Sequence, residues 1–168
     1  MESSVNSNIF QLTAILLTGL LAGLMYGYSC SVLKGLGNLQ DDVYIRSFQS
    51  INLAIQNPYF FVSFMGNLLV LPITSWLSYK HNNVVSFYFL IAATLIYIIG
   101  VFGVTVFGNV PLNDRLANYK VLTATESEIS VMRKIFENPW NKYHTIRTFA
   151  SIIAFGLTVL SLFTRKFS

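Results

Sequence analysis

Trp140, Asn141, His144 and Arg147 lie in the stretch NPWNKYHTIRTF, where an apolar run begins in a chain very short of charge. On a helix, Trp140, His144, Arg147, Thr148 and Ser151 recur every three or four residues and share a face. An imidazole beside a guanidinium suits proton removal and anion stabilisation, with His144 as general base and Arg147 as a fixed cation. The plainer reading is an interfacial anchor, with Trp at headgroup level and Arg snorkelling towards it. The polar face continues inward through Thr148 and Ser151. That favours the chemical reading, because ionisable groups turned into a bundle are costly and therefore functional candidates.

Other polar residues extend the constellation. In GNVPLND, Asn109 and Asn113 are four apart, but Pro111 between them predicts a turn followed by a new helix. These carboxamides either satisfy free carbonyls at a helix end or hold a polar group of a ligand in a dry site. Tyr26 and Cys30 share a face, and Tyr26 and Tyr28 offer rings for a flat ligand. Asn67, deep in an apolar run, needs a partner, as interhelical glue or as a pocket wall. Gln49, Asn52 and Asn141 are further candidate contacts. Gly19, Gly23 and Gly27 make two consecutive GxxxG steps that permit close approach of a helix, in this chain or in a second copy.

Several chemistries find no residues. Cys30 is the single cysteine, which leaves no intrachain disulfide and no cysteine-based metal site. The two histidines, His81 and His144, fall on opposite predicted sides of the membrane. Asp41, Asp42, Asp114, Glu126, Glu128 and Glu137 read as helix caps or solvated faces, so no cofactor or metal site is expected. Phosphate-loop, dinucleotide and nucleophile-elbow motifs do not occur. A net charge of +4 without a basic cluster beyond Arg133-Lys134 and Arg165-Lys166 argues against nucleic acid as a partner.

The elements that must position these residues follow from hydropathy. The 168 residues are 54% hydrophobic and 11% charged, whereas a soluble domain carries about a quarter charged residues. Apolar runs at about 10–33, 58–77, 84–107 and 146–163 predict an all-α bundle of four transmembrane helices in a single domain. Asn57-Pro58 and Asn138-Pro139 both read as a cap followed by proline at the first helical position. Pro72 predicts a kink, not an end. Shorter interfacial helices are expected at about 41–56, 112–119 and 126–138. In the first, Val43, Phe48, Ile51 and Ile55 form the apolar face. In the last, Thr125 and Glu128 form a capping box before Ile129, Met132 and Phe136. The opening segment MESSVNSNIF lacks a basic region and a cleavage signature, so the first run is read as retained.

Four crossings bring the first and third connections to one end of the bundle, together with nearly all the residues above. The other end holds the KHNN turn and the RKFS tail. All Lys and Arg except Lys80, Arg165 and Lys166 belong to the loaded end, which places it in the cytoplasm of a plasma or inner membrane.

Four spans, NVPLND after the third, and a Trp–His–Arg-Thr entry to the fourth resemble the anthrone oxygenase family. The resemblance runs from AGLMYGYSCSVLKGL through FQSINLAIQNPYF to HTIRTFASIIA. It implies oxidation of anthrones to anthraquinones by dioxygen, without metal or organic cofactor. One departure stands out: relatives often read Trp-Asn-His-x-Arg-Thr, and here His144 comes one place earlier, a turn of about 100° on a helix. The implied mechanism has a flat phenolic substrate entering from the lipid and stacking among Trp140, Tyr26 and Tyr28. His144 removes its acidic proton, Arg147, Asn109 and Asn113 hold the anion, and the carbanion reduces dioxygen. The rival reading is a non-catalytic membrane module that binds a quinone, lipid or partner helix.

Overall fold

Two of the long helices begin where a side chain satisfies their first amides. Asn57 accepts from the Phe60 amide at 3.1 Å with Pro58 at the helix start, and Thr125 with Glu128 forms the expected capping box. The computed structural model describes residues 2–164, with side chains from residue 7 onward, and the Arg165-Lys166 pair lies outside them. Helix α1 is α-helical over Glu2–Gly27, π-helical over Tyr28–Val32 and α-helical again over Leu33–Gly37. Helices α2 (Asp41–Ala54) and α3 (Pro58–Lys80) follow. Helix α4 runs over Val84–Ile96, through π-helical Tyr97–Gly103 and Thr105–Asn109, to Val110–Ala117. A 3-10 turn, Val121–Thr123, leads to α5 (Glu126–Phe163). The described residues contain no strand. Helices α1, α3, α4 and α5 are each long and apolar enough to cross a membrane. The fold is an all-α bundle.

Two sequence expectations fail at proline. Pro111 does not separate a turn from a new helix, because α4 passes through it without a break. The π-helical turns before it have already shifted the backbone bonding, and the fixed φ of proline suits the first turn of the α-helical segment that follows. Likewise Asn138-Pro139 does not start a helix; residues 126–138 and 146–163 belong to one helix of 38 residues. An interior proline costs about 3 kcal/mol in an isolated helix. Here Phe136 and Trp140, on either side of it, are buried against Phe48 of α2 at ring distances of 4.7 and 4.8 Å. Tertiary packing offsets the local penalty. Pro72, by contrast, stays inside α3 as expected.

The same contacts rotate α2. Its buried face is Tyr44, Ile45 and Phe48, and Val43, expected on the same apolar face as Phe48, is exposed. Together with Leu36, Leu116, Val121, Ile129, Phe136 and Trp140 this face forms a second core that roofs one end of the bundle. The first core, including Leu21, Phe64, Leu71, Tyr97 and Ala154, fills the middle. Polar pairs stitch the helices there: Gln11 donates to Ser161 at 2.9 Å, and the Tyr97 hydroxyl to the Phe64 carbonyl at 2.6 Å. Of the glycine stripe, only Gly19 meets a neighbour, the Phe155 ring; Gly23 and Gly27 face open space. The tightest approach is at Gly100, where an added Cβ would sit 2.7 Å from that of Ala150.

Arg133 holds the roof down. Its guanidinium donates to the Leu39 and Gly37 carbonyls at 2.7 and 2.9 Å, to Asp41 at 2.9 Å and to Glu137 at 2.7 Å. It also lies 4.3 Å from the Tyr44 ring centroid. Burial, and then the Glu137 carboxylate, push the Tyr44 phenol well above its ordinary range, so it stays neutral under the cation. Arg133→Ala is expected to lower stability by about 2–3 kcal/mol, the loss of charge-assisted bonds to two carbonyls and two carboxylates. Thermal unfolding in detergent measures it. Arg46→Ala, an exposed control in the same roof, is expected to change little.

Candidate functional site

Below the roof lies a cavity of about 310 Å³, at the lower end of the volumes typical of small-molecule sites, roughly 300–1,000 Å³. Every long helix and α2 contribute to its wall. Tyr28 comes from α1, Ile51 and Asn52 from α2, Ile55 from just beyond it, Phe60 and Phe64 from α3, Thr105, Val106, Asn113 and Asp114 from α4, and Trp140, His144 and Arg147 from α5. The wall is mostly apolar. Helical spacing on α5 produces the expected common face: Trp140, His144, Arg147, Thr148 and Ser151 are all buried. The interfacial-anchor reading fails, because His144 is 1% and Arg147 6% exposed.

An aromatic stack fixes the imidazole. The Trp140 and His144 rings lie 5.1 Å apart and nearly parallel, at 11°, and Tyr28 approaches His144 at 5.3 Å. The hydrogen bonds assign its neutral tautomer. Arg147 Nη2 sits 3.2 Å from His144 Nδ1. A guanidinium can only donate, so Nδ1 accepts. The hydrogen then resides on Nε2, which is 2.9 Å from Ser29 Oγ. Ser29 passes its own hydrogen to the Met25 carbonyl at 3.1 Å. Ser29 lies in the π-helical turn of α1, and such turns recur at functional sites.

Arg147 is the unusual group. It donates to Thr105 Oγ1 at 3.2 Å and to His144, and its Nε has no partner. Among the described residues no carboxylate pairs with it; the three ion pairs belong to Arg46 and Arg133. A guanidinium remains charged. The cavity therefore has a fixed positive charge in its wall whose buried Nε is unpartnered, and Asp114, the carboxylate in the same wall, makes no ion pair with it.

The anthrone oxygenase family model matches residues 60–157, more than half of the chain. The chain belongs to the anthrone oxygenase family. No curated protein and no solved structure matches it. The anthrone oxygenase match contains Thr105, Asn113, Trp140, His144 and Arg147, the polar side of the cavity. It leaves out Tyr28 and Asn52, so the α1 and α2 walls lie outside the matched segment, as does Ser29, the partner of His144.

The remaining sequence candidates divide. Asn52 lines the cavity with a buried Nδ2 that has no partner. Asn113 also lines it, but its Oδ1 accepts the Trp140 indole hydrogen at 2.7 Å. Asn109 is off the cavity and donates to the Trp140 carbonyl at 3.3 Å. Both asparagines thus hold Trp140, neither capping a helix nor, in the case of Asn109, reaching a ligand. Gln49 donates to the Leu116 and Tyr119 carbonyls at 2.8 and 3.0 Å and ties α2 to α4. Asn67 donates to the Ser63 carbonyl at 2.7 Å beside the Tyr97 hydroxyl, away from the cavity. Asn141 is half-buried outside the wall. Tyr26 is 59% exposed and Cys30 is exposed, so neither faces the cavity. Thr105 and Ser29, which hydrogen-bond Arg147 and His144, are partners that helical spacing along α5 does not reveal. Thr105 carries one legible signal, a hydroxyl one turn before Asn109 in an otherwise apolar run. Among the described residues, no three His, Cys, Asp or Glu side chains converge as metal ligands.

Proposed function

We propose that this anthrone oxygenase family member is a membrane-embedded oxygenase acting on a flat, hydrophobic, weakly acidic phenol of the anthrone type. The observation that carries the reading is Arg147, a buried cation in the wall of a mostly apolar cavity, with no carboxylate in ion-pair contact among the described residues. Such a charge is unfavourable unless something anionic joins it. A substrate oxygen that becomes an enolate supplies that partner as the reaction proceeds, so the stabilisation is largest where charge develops.

The residues then divide the work. Trp140 and Tyr28 offer ring faces to a planar ligand. The substrate oxygen takes Arg147 Nε and displaces Nδ1 from Nη2. The freed Nδ1 lone pair removes a proton from the acidic CH₂ carbon, and Ser29 stabilises the resulting imidazolium through Nε2–H. The carbanion transfers an electron to dioxygen, the radical pair joins as a peroxide anion, and the His144 imidazolium returns its proton to give the carbon hydroperoxide. Loss of water then leaves the carbonyl. In sum, CH₂ plus O₂ gives C=O plus H₂O, with the carbon oxidised and dioxygen reduced. The bias of Lys and Arg towards the roofed end supports a plasma or inner membrane with the roof in the cytoplasm.

Oxygen uptake by the purified protein, supplied with anthrone in lipid nanodiscs, tests this. The expected result is consumption of one O₂ per anthraquinone formed, above the rate of empty nanodiscs. Saturable binding without oxygen uptake assigns the cavity to a binding module instead.

A further inference from the structure

Helices α3 and α4 are antiparallel neighbours, yet they do not stay together. They pack closely along Val84–Ile96, less along Tyr97–Gly103, and the π-helical segment Thr105–Asn109 has moved away from α3. The cavity reaches this gap. Phe61 and Met65 on α3 and Val106 and Val110 on α4 line it, yet each is also 36–43% exposed on the outside of the bundle. All four are apolar. Met65 is seven residues into α3, about 10 Å along the helix from its start at a rise of 1.5 Å per residue, a distance greater than the headgroup layer that flanks a hydrocarbon core of about 30 Å. The roof side of the cavity is different, because it ends in Asn52, Gln56 and Asp114.

We infer that the gap between α3 and α4 is a lateral portal through which a planar aromatic ligand passes directly between the acyl chains and the chamber. Phe61 and Met65 form one side of it, and Val106 and Val110 the other. This rests on the functional reading above for the ligand's class but not for its oxidation. A wholly apolar opening requires the ligand to shed no water at the threshold. A path through the roof would instead drag the ring system past Asn52 and Asp114.

The chain offers a clean reporter. Its tryptophans are Trp76 and Trp140, so Trp76→Phe leaves only the one in the cavity wall. With Cys30→Ala as well, a cysteine can be placed at one site and labelled with a bulky apolar maleimide. Quenching of Trp140 by anthrone under nitrogen, in nanodiscs, gives entry and exit rates without turnover. The label on Val106→Cys is expected to slow both rates about tenfold, since a blocked passage gates both directions. The same label on Leu95→Cys, lipid-facing on α4 but beyond the gap, is expected to change neither. Unchanged rates with the Val106→Cys label, or slowing only with a Gln56→Cys label on the roof side, overturn the portal. No quenching in any variant overturns the portal and the chamber together. Quenching without oxygen uptake leaves the portal standing and removes only the oxygenase.

Discussion

Arg147→Met is expected to reduce anthrone turnover by about 10²–10³-fold, the range seen when a preorganised donor to a developing anion is removed. The same substitution is expected to leave unfolding stability unchanged or higher. Those two signs together make the prediction specific. A cation placed for stability would have a carboxylate, and removing it would strand that partner. Among the described residues Arg147 has Thr105 and His144 as its hydrogen-bond acceptors and the Trp140 ring 5.4 Å away, and Thr105 already donates to the Val101 carbonyl at 2.6 Å. Methionine restores the volume, leaves one imidazole nitrogen without a donor, and removes a lone buried charge. Replacing buried ionic groups by apolar ones of similar size is often neutral or stabilising. Oxygen-electrode rates and thermal unfolding of the same preparation decide it. Undiminished turnover, or a marked fall in stability with turnover lost only through unfolding, contradicts the role of Arg147 as the anion's partner.

His144→Gln is expected to reduce turnover by about 10²-fold, within the span attributed to general bases. Glutamine can still donate to Ser29 and accept from Arg147, so packing beside Trp140 and Tyr28 is largely kept. What it lacks is a nitrogen that takes a proton. Exchange at the acidic carbon separates a base from a spacer. In deuterated buffer under nitrogen, the native protein is expected to accelerate loss of the CH₂ protons from anthrone, whereas His144→Gln does not. Trp140 quenching by anthrone is expected to persist in the variant. If proton exchange continues at the native rate, the base is another group.

The family match starts at Phe60 and therefore omits Ser29, which holds the other imidazole nitrogen. The contact that holds His144 Nε2 thus comes from a residue more than a hundred positions earlier, in the π-helical turn of α1. A wider turn advances the helix register by one residue, and that shift lies where Tyr28 and Ser29 line up with α5.

Local chemistry made part of this legible in the sequence. Four helices follow from apolar runs long enough to leave no water for the backbone. The starts at Asn57 and Thr125 follow from side-chain caps, which are interactions over three residues. The common face of Trp140, His144 and Arg147 follows from helical periodicity alone. Tertiary structure decided the rest. Hydropathy cannot say which face of a membrane helix turns inward, because a lipid-facing leucine and a core leucine are equally apolar. For that reason Tyr26 could not be told from Tyr28, nor Gly23 from Gly100. Nor could Asn138-Pro139 reveal that it lies inside a helix, since the compensation comes from Phe48 on another element. Arg147 is a buried cation and not an interfacial anchor because the bundle encloses it while no carboxylate among the described residues pairs with it, and both are facts of how distant segments pack.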